Sequence, residues 1–314
     1  MIALLLVPLL LVPLLLPFAA PASARRALAR LDPVTALWVL TVSALVLAGA
    51  CVAALGALVL TGLFRFPLFA ALGELVHPLH TPSDLLILPA ASLATGALTV
   101  GAWALGRSAV RQVGAFRAAR TQAEARPAVG DLCVIDSPYP DAYALPGRPQ
   151  RIVVTTGMLR SLGPAEREAL FAHERAHNRG GHHYFLAAAE IAAHCHPALR
   201  GLRTDIRFAA ERAADEAAAG AVGDRHLTAR AIARAALAGH DSRSARPDFA
   251  SGATGGPVPQ RVAALLAPAA RPAPARRWTA LLLVVCALLS AGAATTDVLT
   301  FHHDVEVAQG EASP

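Results

Sequence analysis

The 314-residue sequence contains no lysine; all 28 of its basic residues are arginine. It is also poor in charge, with 16% charged residues against roughly 25% in ordinary soluble chains. With 55% hydrophobic residues, that shortage excludes a single water-soluble domain. Cysteine is sparse: Cys51, Cys133, Cys195 and Cys286 lie far apart, with no CxxC pair, which excludes a disulfide framework and a zinc ribbon. There are two methionines, Met1 and Met158. The formal net charge of +6 invites a nucleic-acid reading, but no recognisable reading module accompanies it, and no nucleic-acid partner is expected.

Four apolar stretches reach the roughly 20 residues that cross a bilayer. They are Ile2–Ala20, Val34–Leu63, Leu85–Gly106 and Trp278 to about Thr296. Ala22-Ser23-Ala24 resembles a signal-peptide cleavage site, but no positive residue precedes the first apolar run, so retention of that span is expected. Arg25, Arg26 and Arg30 follow the first span, Arg107, Arg111, Arg117 and Arg120 follow the third, and Arg271, Arg276 and Arg277 precede the fourth. With four spans all three clusters fall on one side. The tail opposite holds Asp297, Asp304, Glu306 and Glu311 and no arginine. The positive-inside rule then predicts a multi-pass cell-membrane protein with both termini outside. The expected division is 1–106 as a membrane part with three spans, 107–277 as a cytoplasmic domain, and 278–314 as the fourth span with a short acidic tail.

The 107–277 segment holds 24 arginines against 15 acidic residues, a net +9. At about 170 residues it can bury one core. Arg107–Arg126 reads as a helix leaving the third span. Arg151–Thr156 is β-branched and reads as a short strand. Gly163-Pro164 opens a helix whose early Glu166 and Glu168 suit its positive end and which stops at Gly180-Gly181. Residues 205–220 predict a further helix, residues 241–260 a loop, and Pro268–Pro274 a stiff linker.

The chemistry lies in His173-Glu174-Arg175-Ala176-His177. Residues four apart share a helix face, so His173 and His177 can present two imidazoles to one Zn²⁺, with Glu174 beside them as general base. A third ligand is needed. His183 completes the longer pattern HExxHxxGxxH with Gly180, but that fold also needs a methionine turn downstream, and Met1 and Met158 both lie upstream. Glu211 is the stronger candidate, because Glu211 and Asp215 share a helix face and Asp215 can orient a ligand histidine. An ordinary helix salt-bridged through Arg207 and Arg212 is the competing reading. Glu190, in the apolar run 185–193, is weaker. Tyr184, Tyr143 and Arg207 are candidates to stabilise an oxyanion. His194-Cys195-His196, His77 with His80, and His302-His303 each lack a partner at usable spacing and are read as non-metal histidines.

The sequence resembles the BlaR/MecR-type antirepressor metallopeptidases, integral-membrane gluzincins related to the HtpX and CAAX prenyl protease group. The resemblance runs over Ala142–Gly147, Ile152–Thr155, Gly157–Leu159, Glu168–His177, His182-His183 and Glu211–Asp215, and more weakly over Gln260–Leu266. It implies His173, His177 and Glu211 as zinc ligands, Glu174 as base and Asp215 as the residue behind a ligand. It also implies that Ile152, Val153, Val154 and Thr155 form an edge strand that pairs with an extended substrate, as an exposed strand edge can. The β-lactam sensors of that family carry a penicillin-binding domain after the last span. Residues 297–314 show no Ser-x-x-Lys motif, so sensing through such a domain is not expected.

The expected protein is therefore mostly α: a polytopic helical membrane protein with four spans and a cytoplasmic gluzincin-like zinc metallopeptidase domain holding a short β element. Its expected activity is that of a zinc-dependent metalloendopeptidase. Its expected partners are the lipid bilayer and a protein or peptide substrate, including a repressor encoded nearby; no motif specifies an oligomeric state. The competing readings are an HtpX-like quality-control protease and a non-proteolytic membrane signalling protein.

Overall fold

The computed structural model describes residues 11–66, 68–69, 84–239, 257–268 and 277–309. Residues 2–10 of the first span, His77, His80, Glu311, and most of the 241–260 loop and the 268–274 linker lie outside that set. The helices are α1 (Ala20–Arg30), α2 (Pro33–Leu63), α3 (Asp84–Glu124), α4 (Thr156–Ser161), α5 (Pro164–Arg179), α6 (His182–Cys195), α7 (Arg200–Val222), α8 (Arg225–Gly239), α9 (Val258–Leu266) and α10 (Arg277–Gln309). The strands are β1 (Ala128–Val129), β2 (Leu132–Ile135), β3 (Ala142–Leu145) and β4 (Arg151–Thr155). Among the described residues the chain is mostly helical, with one small sheet.

Among the described residues two helices are long and apolar enough to cross a membrane, α2 and the Ile87–Glu124 part of α3. They correspond to the second and third expected spans. The apolar stretch Val284–Thr300 of α10 is shorter. Asp32 starts α2 by accepting the Thr35 amide at 2.9 Å, with Pro33 in the first turn. α3 continues without a break from its apolar half into its arginine-rich half, as the sequence predicts. A Cβ at Gly62 would overlap the Ala91 methyl, so α2 and α3 meet through small residues.

The buried stripe of α2 contains Leu37, Leu40, Ala44, Leu47 and Ala48, at helical spacing. It packs against Ala189 and Ala192 of α6 and Leu202, Ile206, Ala209 and Ala210 of α7. Trp38 meets Phe185 edge-on, with ring centroids 4.8 Å apart. One core thus crosses the expected boundary at residue 106. At the far end of α3, Ala119 and Ala123 cover Cys133, Tyr143, Leu145 and Val153 of the sheet.

The sheet order is β1-β2-β4-β3. β2 runs parallel to β4, pairing Leu132 with Ile152 and Ile135 with Thr155. β3 runs antiparallel to β4, pairing Ala142 with Val154 and Ala144 with Ile152. This corrects the edge-strand expectation for Ile152, Val153, Val154 and Thr155. β4 is an inner strand whose two sides are both taken, and it has no backbone edge to offer a peptide. The reason is non-local: strand order is set by the pairing of β4 with β2 and β3. The buried run Ile152–Val154 reports only cover on the two faces, as it does in the end strand β3, which is also buried throughout. Among the described residues β3 is paired on one side alone, and it is the strand at the α5 end of the sheet.

Candidate metal centre

α5 is fixed at both ends. At its start the Gly163 amide donates to Glu166 Oε2 at 2.9 Å, and the same carboxylate pairs with Arg230 at 3.1 Å and Arg234 at 2.9 Å on α8. Burial pushes the Glu166 carboxyl up, but the Gly163 amide and the two arginines outweigh it and hold it below its ordinary value. A depressed folded value means that the stabilisation is present above the unfolded value near 4.5 and is lost as pH falls through the folded one. Glu166→Ala is therefore expected to cost about 1–2 kcal/mol at neutral pH, through the lost cap and unpaired arginines. The deficit against wild type should shrink in melts run well below pH 4.5.

Along α5, Arg175 makes a forked pair with Asp131 just before β2, at 2.6 and 2.8 Å. Asn178 Nδ2 donates to the Arg151 carbonyl at 3.0 Å. The helix is thereby pinned to the sheet over the turn that carries His173, Glu174 and His177.

α5 ends at Gly180-Gly181, the stop expected from the sequence. Gly181 takes a left-handed φ of +61°, and a Cβ at Gly180 would collide with the His182 ring. This tight reversal returns His182 onto the site: its Nδ1 lies 2.8 Å from His177 Nδ1. Gly181→Ala should cost about 1–2 kcal/mol for the left-handed backbone alone, read as a shift in thermal midpoint. A larger loss would show that the His182 contact moves too.

The site closes where α5 crosses α7. His173 Nε2 lies 3.1 Å from His177 Nε2 and 3.6 Å from Glu211 Oε2, while His177 Nε2 lies 3.8 Å from Glu211 Oε1. One ligand atom from each of these three residues falls within 4.8 Å of the others. His173, Glu174 and Glu211 are completely buried, with His177 and Asp215 nearly so. Asp215 Oδ1 stands 3.0 Å from His173 Nδ1. The expected residues His173, Glu174, His177, Glu211 and Asp215 are therefore assembled in one place from two helices.

The arrangement fits a metal ion. Two buried imidazole nitrogens face each other at 3.1 Å, a contact between lone pairs that calls for a proton or a cation between them. Glu211 Oε2 is paired with Arg261 Nη1 at 2.9 Å, while the dry Oε1 has no hydrogen-bond partner of good geometry, and a buried carboxylate oxygen left so is costly. Two imidazoles and one carboxylate are a common zinc donor set that leaves a fourth position open. Burial pulls His173 down, but its contacts with Asp215 and Glu211 outweigh this and lift it to about 9. Burial holds His177 well below the ordinary histidine value. Glu211 is pulled down to about 2: burial opposes this, and Arg261 leads the groups that outweigh it, with His177 and His173 following.

The other candidates lie elsewhere. His183 is half-buried, with its ring against Tyr184 at 4.0 Å between centroids, and it takes no part in the three-residue cluster. Glu190 pairs with Arg203 at 2.8 Å and accepts from Ser108 at 2.9 Å. His194 bonds back to the Glu190 carbonyl, and His196 accepts the Ala198 amide. His302 pairs with Glu306 on α10. Tyr184 is exposed, and Tyr143 sits in β3.

Two contributors were not assigned a role from sequence. His182 had a signal in the glycine pair before it. Arg261, which enters from α9 and pairs with both Glu211 and Asp215, had none beyond its place in the weakest stretch of the resemblance.

Helix-borne HExxH, a glutamate on a second helix and a buried N₂O cluster together define a metallopeptidase type of centre. In agreement, residues 107–199 match the family model of Peptidase family M48. The match supports a metallopeptidase function. It takes in the sheet, α5 and α6 and ends before α7, so Glu211, Asp215 and Arg261 are joined to the motif by the structure and not by the match. It does not single out an antirepressor subtype. No curated protein and no solved structure matches the chain.

Proposed function

We propose that this chain is an integral-membrane zinc endopeptidase that hydrolyses peptide bonds of a cytoplasmic or membrane-associated protein. The observation that carries the reading is the meeting of His173, His177 and Glu211 in one buried cluster with Glu174 beside it.

His173 and His177 would hold the ion through Nε2 and Glu211 through its carboxylate. A zinc ion there supplies Lewis-acid polarisation of the scissile carbonyl and acidifies water. The remaining work falls to the chain. Asp215 Oδ1, 3.0 Å from His173 Nδ1, would attract the Nδ1 proton and leave Nε2 as a free donor atom. His182 Nδ1, 2.8 Å from His177 Nδ1, would accept the corresponding proton of His177 once its Nε2 serves as a ligand atom. Glu174 takes a proton from the attacking water and hands it to the leaving amine. An extended substrate would add to the side of β3 that β4 does not occupy, so Ala142–Leu145 replaces Ile152–Thr155 as the substrate strand.

Orientation follows from charge and packing together. The α6–α7 pair docks on the first half of α2, just after Arg25, Arg26 and Arg30. The sheet docks on the last turns of α3, after Arg107, Arg111 and Arg117. Both contacts lie at the arginine-rich ends of oppositely directed helices, which the positive-inside rule assigns to the cytoplasm. Arg107 also lies over Trp103, 5.6 Å from the ring centroid, a pairing suited to an interface. The substrate we favour is a transcriptional repressor encoded beside this gene. Co-expression tests it: such a repressor should be cut by the wild-type chain and remain intact with Glu174→Gln. Cleavage of misfolded membrane proteins with the repressor left intact would favour quality control instead.

A further inference from the structure

α9 carries a single charged side chain, Arg261, and that side chain is completely buried. Its Nε and Nη2 donate to the two carboxylate oxygens of Asp215 at 2.8 and 2.6 Å. Its Nη1 lies 2.9 Å from Glu211 Oε2. The flat guanidinium thus spans two carboxylates one helical turn apart on α7, a geometry that a lysine point charge cannot reproduce.

Two consequences bear on the metal site. Asp215 Oδ1, which receives Nη2, is the same oxygen that faces His173 Nδ1 at 3.0 Å. The guanidinium therefore fixes the carboxylate that in turn fixes the imidazole. The second consequence is charge. Ionised Glu174, Glu211 and Asp215 would leave the dry site strongly negative, and Arg261 cancels one of these three charges. The two that remain match one divalent cation.

We propose that Arg261 is the positioning residue of the metal centre. It holds Asp215 and Glu211 Oε2 in place, leaves Glu211 Oε1 and the Nε2 atoms of His173 and His177 to a single dication, and sets the charge of the site to match. α9 is thus a clasp that completes the centre from beyond the HExxH and Glu211–Asp215 helices. The inference rests on the zinc reading above.

The test uses the full chain in detergent, with zinc affinity measured by competition against a chromophoric chelator and thermal melts run with and without zinc. Arg261→Gln should bind zinc roughly 10–100-fold more weakly than wild type, the usual loss for a residue behind a metal ligand. Arg261→Lys, which keeps the charge and loses the fork, should recover part of that loss. If Arg261→Gln does not fold, Arg261→Lys decides, with weakened zinc binding expected. Wild-type zinc affinity in the folded variants, with melts lowered equally in the presence and absence of zinc, overturns the role of Arg261 and leaves the zinc site standing. A wild-type chain that takes up no zinc overturns both.

Discussion

Glu211→Ala is expected to lower bound zinc from one equivalent per chain to near zero, while His183→Ala keeps the full equivalent. Two imidazoles alone seldom hold zinc in protein sites, where a third protein ligand is the rule even at catalytic centres. Glu211 is placed for that duty by its distances of 3.6 and 3.8 Å from the two Nε2 atoms, and His183 lies outside the cluster against Tyr184. The variant should also be destabilised without zinc. Glu211 is one of two carboxylates that neutralise a completely buried Arg261, and breaking such a pair costs about 3–5 kcal/mol. Elemental analysis of the purified chains gives the stoichiometry, and melts give the stability. Full zinc in Glu211→Ala together with loss in His183→Ala would move the third ligand to α6.

What could be read from the sequence divides along the range of the interactions. α5 and its two histidines were legible because a four-residue spacing on a helix is a local rule, and Gly163-Pro164 and Gly180-Gly181 mark its ends. α2 and α3 were legible because hydropathy over about 20 residues needs no knowledge of neighbours. Glu211 with Asp215 was legible as one helix face that could supply the third ligand, but the distances that bring this face to His173 come from the fold. The position of β4 between β2 and β3 is not legible in its own residues, because strand order is a non-local property. The unbroken Ile152-Val153-Val154 run reports burial of both faces and does not distinguish an inner strand from an end strand, since β3 is buried throughout as well. Arg261 was illegible for the same reason: its partner Asp215 is 46 residues away, and a lone arginine in an apolar helix is ordinarily read as surface. The docking of α6 and α7 on α2 could not be read either, because an all-apolar helix does not declare which face meets protein.

Glu174→Gln should show the opposite pattern from Glu211→Ala: zinc retained, hydrolysis lost by roughly 10²–10⁴-fold, the range for a positioned general base. The substitution keeps shape and volume, which matters because Glu174 is completely buried and a cavity or clash would confuse the result. It removes the ability to accept a proton and deletes one negative charge. That charge is felt locally, since Glu174 is among the groups that hold the Arg261 guanidinium above its ordinary value, after Glu211 and Asp215. Because Glu174 is not in the three-residue ligand cluster, the zinc equivalent should stay at one. Asp215→Asn makes the informative comparison. It acts through His173 and should weaken zinc binding or activity about 10–100-fold, so that added zinc restores part of its activity and restores none to Glu174→Gln. Unchanged cleavage by Glu174→Gln, of casein or of a co-expressed repressor, would sink the peptidase assignment. Zinc loss in the same variant would instead make Glu174 a ligand and leave the attacking water without its base.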